Sequence, residues 1–139
     1  MKIYFAGAIR GGRDDAKLYE EIIAYIENKG QVLTEHVGST ALSEKGETTR
    51  KDNEIYLRDM MWLQSAAVII AEVTTPSLGV GYELGMAEKL KKPVLCLYRP
   101  SKKRRLSAMV KGNKIFTCRD YNDLTEAKLY IDEFLKKLI

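Results

Sequence analysis

The run Val68-Ile69-Ile70-Ala71-Glu72-Val73-Thr74-Thr75-Pro76-Ser77-Leu78-Gly79-Val80-Gly81-Tyr82-Glu83-Leu84-Gly85 limits what this chain can become. It opens with a short apolar stretch rich in β-branched residues, the pattern of a strand covered on both faces. Thr75-Pro76-Ser77 interrupts it, and Gly79 and Gly81 predict a turn where the backbone bends and comes close to something. From Tyr82 the spacing of Leu84, Ala87 and Leu90 predicts a helix, with Glu83 in its first turn. Strand, glycine turn and helix form the unit of an open α/β sheet. Such sheets bind ligands beyond the carboxyl ends of their strands, where a helix N-terminus offers amides to anions.

The same alternation continues along the chain. Ile3 to Ala8 predicts a first strand, followed by the basic glycine turn Ala8-Ile9-Arg10-Gly11-Gly12-Arg13. A helix from Asp14-Asp15 to about Lys29 buries Leu18, Ile22, Ile23 and Ile26, with Gly30 as its cap. Val32-Leu33 is a second strand, and His36 to Thr49 reads as a polar, lid-like loop. A helix over Arg50 to Ser65 precedes the strand Val68 to Ala71. The segment from Pro93 to Leu97 is strand four, Leu106 to Val110 a helical turn, and Lys114 to Thr117 strand five. A last helix follows Asn122-Asp123, with Ala127, Ile131, Leu135 and Leu138 inward. The expectation is one flavodoxin-like, Rossmann-like domain spanning 1–139. Its parallel sheet has strand order 2-1-3-4-5, with helices on both faces.

Composition narrows the function. The chain has 139 residues, enough for one domain that buries about 70% of its unfolded surface. No apolar run approaches the ~20 residues of a membrane helix. Met1-Lys2-Ile3-Tyr4 already begins a strand, which argues against a signal peptide. Two cysteines point to a reducing cytoplasm rather than a disulfide scaffold, and the single His36 argues against zinc. The net charge of +4 is concentrated in Arg99 to Arg105, a run that could hold phosphate or nucleic acid or simply be a solvated loop. The aromatic-basic interleaving of single-strand binders is lacking, which makes nucleic acid a poor candidate.

Three side chains stand out for chemistry. Glu83 is either a carboxylate set among glycines at the active edge of the sheet or an acid complementing a helix dipole. Asp59 shares a helix face with Ile55 and Leu63, one turn to either side. Burial there would raise its pKa and suit it to general-acid work; the alternative is an ion pair with Arg58 or Lys51. Tyr4 is a core tyrosine that could orient a carboxylate. Two inward acids without metal ligands is the arrangement of glycosidic bond cleavage. The turn from Gly7 to Arg13 matches neither the dinucleotide fingerprint nor a P-loop, yet its amides and Arg10 suit a single phosphate. Ser77 either donates to that anion or caps the helix after it.

These segments together resemble a known family. They are Tyr4 to Arg13, Val32-Leu33-Thr34-Glu35-His36, Asp59 before Trp62-Leu63-Gln64, Glu72 to Gly85, and Leu106-Ser107-Ala108-Met109. The chain is similar to the 2′-deoxynucleoside 5′-phosphate N-hydrolases of the nucleoside 2-deoxyribosyltransferase superfamily, over nearly its whole length. The resemblance implies hydrolysis of the N-glycosidic bond of deoxynucleoside monophosphates to free base and 2-deoxyribose 5-phosphate, with no cofactor. It implies Glu83 as nucleophile, Asp59 as acid to the leaving base and Tyr4 as the residue placing the nucleophile. Gly7, Ala8, Ile9, Arg10, Gly11, Gly12, Arg13, Ser77 and Gly79 would surround the nucleotide. Ser107 and Met109 would reach it from the partner in a homodimer. Ala8 stands where the family often has serine, which shifts phosphate binding toward Arg10, Ser77, Ser107 and the Lys102–Arg105 run. A deoxyribosyltransferase acting on unphosphorylated nucleosides and a non-catalytic nucleotide-binding module are the alternative readings.

Overall fold

A computed structural model describes residues 1–9, 15–39 and 46–139. Its centre is a five-stranded parallel sheet: β1 (Lys2–Ala6), β2 (Gln31–Val32), β3 (Val68–Glu72), β4 (Val94–Tyr98) and β5 (Thr117–Asp120), in the order β2-β1-β3-β4-β5. The helices are α1 (Ala16–Ile26), α2 (Asp52–Ser65), α3 (Leu78–Lys89), the short α4 (Ala108–Lys111) and α5 (Leu124–Lys136). The expected architecture is therefore observed, with the switch point between β1 and β3.

Successive side chains of a strand point to opposite faces, so the sheet separates two cores. On one face Ile3, Phe5, Val68 and Ile70 meet α1 through Tyr19, Ile22 and Ile26, and α5 through Ile131 and Leu135. On the other, Tyr4, Ala6, Ile69 and Ala71 meet Leu63 of α2 and Val80, Leu84 and Ala87 of α3. β3 and β4 are covered along their whole length, which is why both read as continuous apolar runs. Each fully buried Leu or Ile in these layers contributes about 1.5–3 kcal/mol.

Several boundaries depart from the sequence reading, for local reasons. The glycine turn predicted at Gly79–Gly81 is helix: α3 begins at Leu78, capped by Ser77, whose Oγ accepts the Val80 amide at 3.2 Å. Glu83 thus stands in the second turn rather than the first. β1 stops at Ala6 instead of Ala8, because Ala8 turns its amide to the Tyr19 hydroxyl at 3.2 Å. Gly30 is not a left-handed cap; a Cβ there would fall 2.4 Å from the Met1 carbonyl oxygen, so close approach requires the glycine. The segment read as a lid opens with a 3-10 turn, Glu35–Gly38, that buries Val37 in the core; residues 40–45 of that segment lie outside the described residues. β5 runs three residues later than expected, since Ile115 is 66% exposed and only Phe116 enters the core before the strand starts. An edge strand lacks the apolar signature of a central one. In α5 Phe134 takes the inward place expected of Leu138, which lies on the surface.

Candidate active site

Tyr4 comes from the middle of β1 and Glu83 from α3, and the tyrosine O–H donates to Glu83 Oε2. The local sequence explains the meeting. Tyr4 faces the α2/α3 side because Ile3 and Phe5 take the other face. Ser77 fixes where α3 starts and therefore which residue one and a half turns later returns to the sheet. In the second turn Glu83 is past the reach of the helix dipole, which falls off within the first turn. Dipole complementation therefore does not account for it. Burial pushes the Glu83 carboxyl up to about 7; the Tyr4 hydrogen bond works against that rise and the charge on Asp59 adds to it. The Tyr4 phenol is driven far above its ordinary range, first by burial and then by the Glu83 charge.

The charge on Asp59 bears on both Tyr4 and Glu83. The burial expected for Asp59 is partial. Leu63 is the fully buried residue of α2, and the Asp59 side chain keeps 23% of its surface exposed. Its Oδ1 accepts from Arg58 Nε at 3.0 Å, the ion pair that stood as the alternative.

Glu47 was not singled out from the sequence, and Arg58 only as a partner of Asp59. Arg58 Nη1 donates to Glu47 Oε2 at 2.9 Å, Nη2 donates to Oε1, and the guanidinium lies 4.6 Å over the Trp62 ring. The Glu47 hydrogen bonds hold Arg58 firmly protonated. This clamp ties the chain before α2 to the helix beside Asp59. Nothing in the spacing of residues 47 and 58 announces it.

The remaining expected residues separate into those the structure places and those it does not describe. Arg10, Gly11, Gly12 and Arg13 lie outside the described residues. Gly7 packs so closely that a Cβ would come 2.9 Å from the Tyr19 ring, and Ala8 is buried with its amide engaged by Tyr19. Ile9 packs on the α1 face of the core. Ser77 acts as a cap, the second of its two readings, and a Cβ added at Gly79, one turn before Glu83, would touch the Ser77 Oγ at 3.8 Å. Ser107 caps α4 by accepting the Met109 amide at 3.2 Å, and Met109 is 84% exposed.

A second carboxylate was missed altogether. Glu72, at the end of β3, is fully buried on the α1/α5 face. It accepts from the Thr74 amide at 2.7 Å, from the Thr74 hydroxyl at 2.9 Å and from the Tyr121 hydroxyl, and Arg99 Nε lies 3.5 Å away. Arg99 also pairs with Asp15, which accepts from Thr75 at 3.1 Å. The start of the basic run is thus anchored, whereas Lys102 to Arg105 are exposed. Among the described residues no group of three or more His, Cys, Asp or Glu is arranged around a metal site, and no helix is long and apolar enough to cross a membrane.

Comparison with known proteins places the chain in a family. The chain is 55% identical over 125 residues to the 5-hydroxymethyl-dUMP N-hydrolase of Tetraodon nigroviridis, covering 87% of this chain and 88% of that one. It is 49% identical over 143 residues to the protein of the same name from Esox lucius, covering 99% and 98%. The structure of Clostridium botulinum CMP N-glycosidase superposes with a TM-score of 0.69 over 96% of this chain and 99% of that one, at 17% identity, a likeness of fold. Residues 3–132 match the nucleoside 2-deoxyribosyltransferase family as a whole. With its fold and its nearly full-length match, the chain belongs to the nucleoside 2-deoxyribosyltransferase family.

Proposed function

We propose that the protein hydrolyses the N-glycosidic bond of 2′-deoxynucleoside 5′-monophosphates, releasing the free base and 2-deoxyribose 5-phosphate. The observation that carries the reading is Glu83: a desolvated carboxylate held by Tyr4, with Asp59 in electrostatic reach. The names of the relatives point to the same substrate class.

Ionised Glu83 attacks the anomeric carbon, forming a glycosyl ester as the carbon–nitrogen bond to the base breaks. Asp59 delivers a proton to the departing base. Water, deprotonated by Asp59, then releases the sugar phosphate and restores Glu83. A 2-deoxy sugar lacks the electron-withdrawing hydroxyl beside the reacting carbon, so its oxocarbenium-like transition state is more accessible and two carboxylates suffice. Tyr4 fixes the attacking oxygen and, through its O–H, favours the ionised form. The turn from Gly7 to Arg13, with Ser77, would hold the 5′-phosphate, whose binding energy orients the sugar remote from the bond broken.

A second copy would complete the site. Leu78 is 97% exposed and Met109 84%, while Tyr82 of α3 stacks edge-on with Tyr56 of α2 at 6.2 Å and both stay about half-exposed. A Cβ added at Gly81 or Gly85 would meet nothing within 4 Å in this chain. This bare, apolar face suits close packing of another subunit, with Ser107 and Met109 reaching across.

Incubation with each deoxynucleoside monophosphate, 5-hydroxymethyl-dUMP first, should release free base measurable by chromatography. Absence of base from every one, with folded protein, rejects the reading. Base exchange between deoxycytidine and adenine at a comparable rate would favour a transferase instead. Sedimentation should give a dimer.

A further inference from the structure

Cys96 in β4 and Cys118 in β5 are aligned as direct partners across neighbouring parallel strands. Neighbouring strands lie about 4.8 Å apart, inside the 4.4–6.8 Å range of Cα separations that a disulfide spans. Both side chains are on the α2/α3 face, Cys96 fully buried and Cys118 partly so. The Cys118 thiol donates to the Val110 carbonyl oxygen of α4 at 3.7 Å. Neither has a part in the reaction proposed above. β5 is the edge strand, bonded to β4 alone, so it can yield the small movement that closing a bridge requires.

We propose that Cys96 and Cys118 form a peroxide-reactive dithiol, a modification site in which Cys118 is oxidised first and Cys96 resolves it to a reversible cross-strand disulfide. Exposure sets the order, because a small oxidant reaches half-buried Cys118 but not Cys96. The Cys118 sulfur attacks one peroxide oxygen; the O–O bond breaks and hydroxide leaves, taking up a proton as water. The product is a sulfenic acid. The Cys96 thiol then gives up its proton and its sulfur attacks the Cys118 sulfur; the S–O bond breaks and a second water leaves. Two thiols are oxidised and one peroxide is reduced to two waters. The neighbouring Cys96 thiol lowers the Cys118 thiol to about 7, with Arg119 and Lys111 assisting and burial and Asp120 opposing, which favours the reactive thiolate.

The test uses the reduced, full-length chain, hydrogen peroxide and intact-mass measurement. The expected product has lost two hydrogens, maps as a Cys96–Cys118 link and returns to two thiols with dithiothreitol. Cys96→Ser should instead collect oxygen on Cys118, and Cys118→Ser should stay unmodified under the same exposure. Wild-type protein that keeps both thiols overturns the proposal, as does one that gains oxygen on Cys118 while Cys96 remains free to alkylate after unfolding. Oxidation of Cys96 in Cys118→Ser at the wild-type rate overturns the assigned order. Circular dichroism and the thiol count under native conditions establish that each variant is folded, and no readout depends on catalysis.

Discussion

Two glutamates, fully buried Glu72 and half-buried Glu83, are each bonded by a tyrosine on opposite faces of the same sheet, and they differ in what surrounds the charge. Glu72 has Tyr121, two donors from Thr74 and the Arg99 guanidinium close by. Glu83 has Tyr4, and the neighbouring charge that bears on it is another acid, Asp59. Burial raises both carboxyls, but at Glu72 four opposing contributions act against it and at Glu83 only the Tyr4 bond does. A compensated acid joins loops; an uncompensated one is held ready to change its bonding partner. Glu72 joins the ends of β3 and β5 directly, and the Arg99–Asp15–Thr75 contacts add α1 and the loop before α3. Glu83 is the acid whose proton affinity lies near neutrality, where a group can serve as nucleophile and leaving group in turn.

The largest expected effect follows from removing the uncompensated acid. Glu83→Gln should lower base release by about a thousandfold or more, since no attacking carboxylate remains. A loss below tenfold would erase the distinction drawn between the two glutamates.

The same variant should gain stability in alkaline solution. The folded-state pKa of Glu83, about 7, lies above its ordinary value near 4.5. Its contribution is therefore fully present below about pH 4.5 and is lost as pH rises through about 7. At pH 8 wild type should be less stable than Glu83→Gln by on the order of 3 kcal/mol, with the gap closing near pH 4, read by urea unfolding at each pH.

Arg99→Met tests the compensated acid. It leaves Glu72 and Asp15 without their guanidinium and should cost about 2 kcal/mol in the urea midpoint, Arg99 being itself one-third exposed. A stability unchanged within error would make the network incidental.

Tyr4→Phe gives the smallest change. Loss of one hydrogen bond to the carboxylate should slow base release about tenfold. It should also move the acidic limb of kcat/KM, expected near 7 from Glu83, to higher pH, because that bond favours ionisation. A limb that stays in place would show that Tyr4 does not set the proton affinity of Glu83.

The fold was legible because its evidence is periodic. The buried runs in β3 and β4, the stripes of α1 and α5 and the alternation of strand with helix repeat often enough to specify layers and strand order. Where periodicity failed, the reading slipped. Gly79 and Gly81 look like a turn by composition but sit in a helix, because Ser77 caps it and Val80, Leu84 and Ala87 bury its inner face. Edge strand β5 was displaced by three residues because one-sided burial leaves little pattern. Glu83, Asp59 and Tyr4 were found as chemically unusual residues in apolar segments. Glu72 was passed over, since a single acid closing an apolar run looks like a strand end until the donors from β5 and the β4 loop arrive around it.

Residue order alone settled the class of fold, the direction of the sheet and the three side chains with chemistry to offer, all of which depend on local spacing. Packing settled what each acid is bonded to. Asp59 is half-buried and pairs with Arg58, while the second turn of α3 brings Glu83 to Tyr4. Proton affinity depends on the charges and the water that neighbours from distant parts of the chain supply or remove, and those neighbours exist only once the chain has folded.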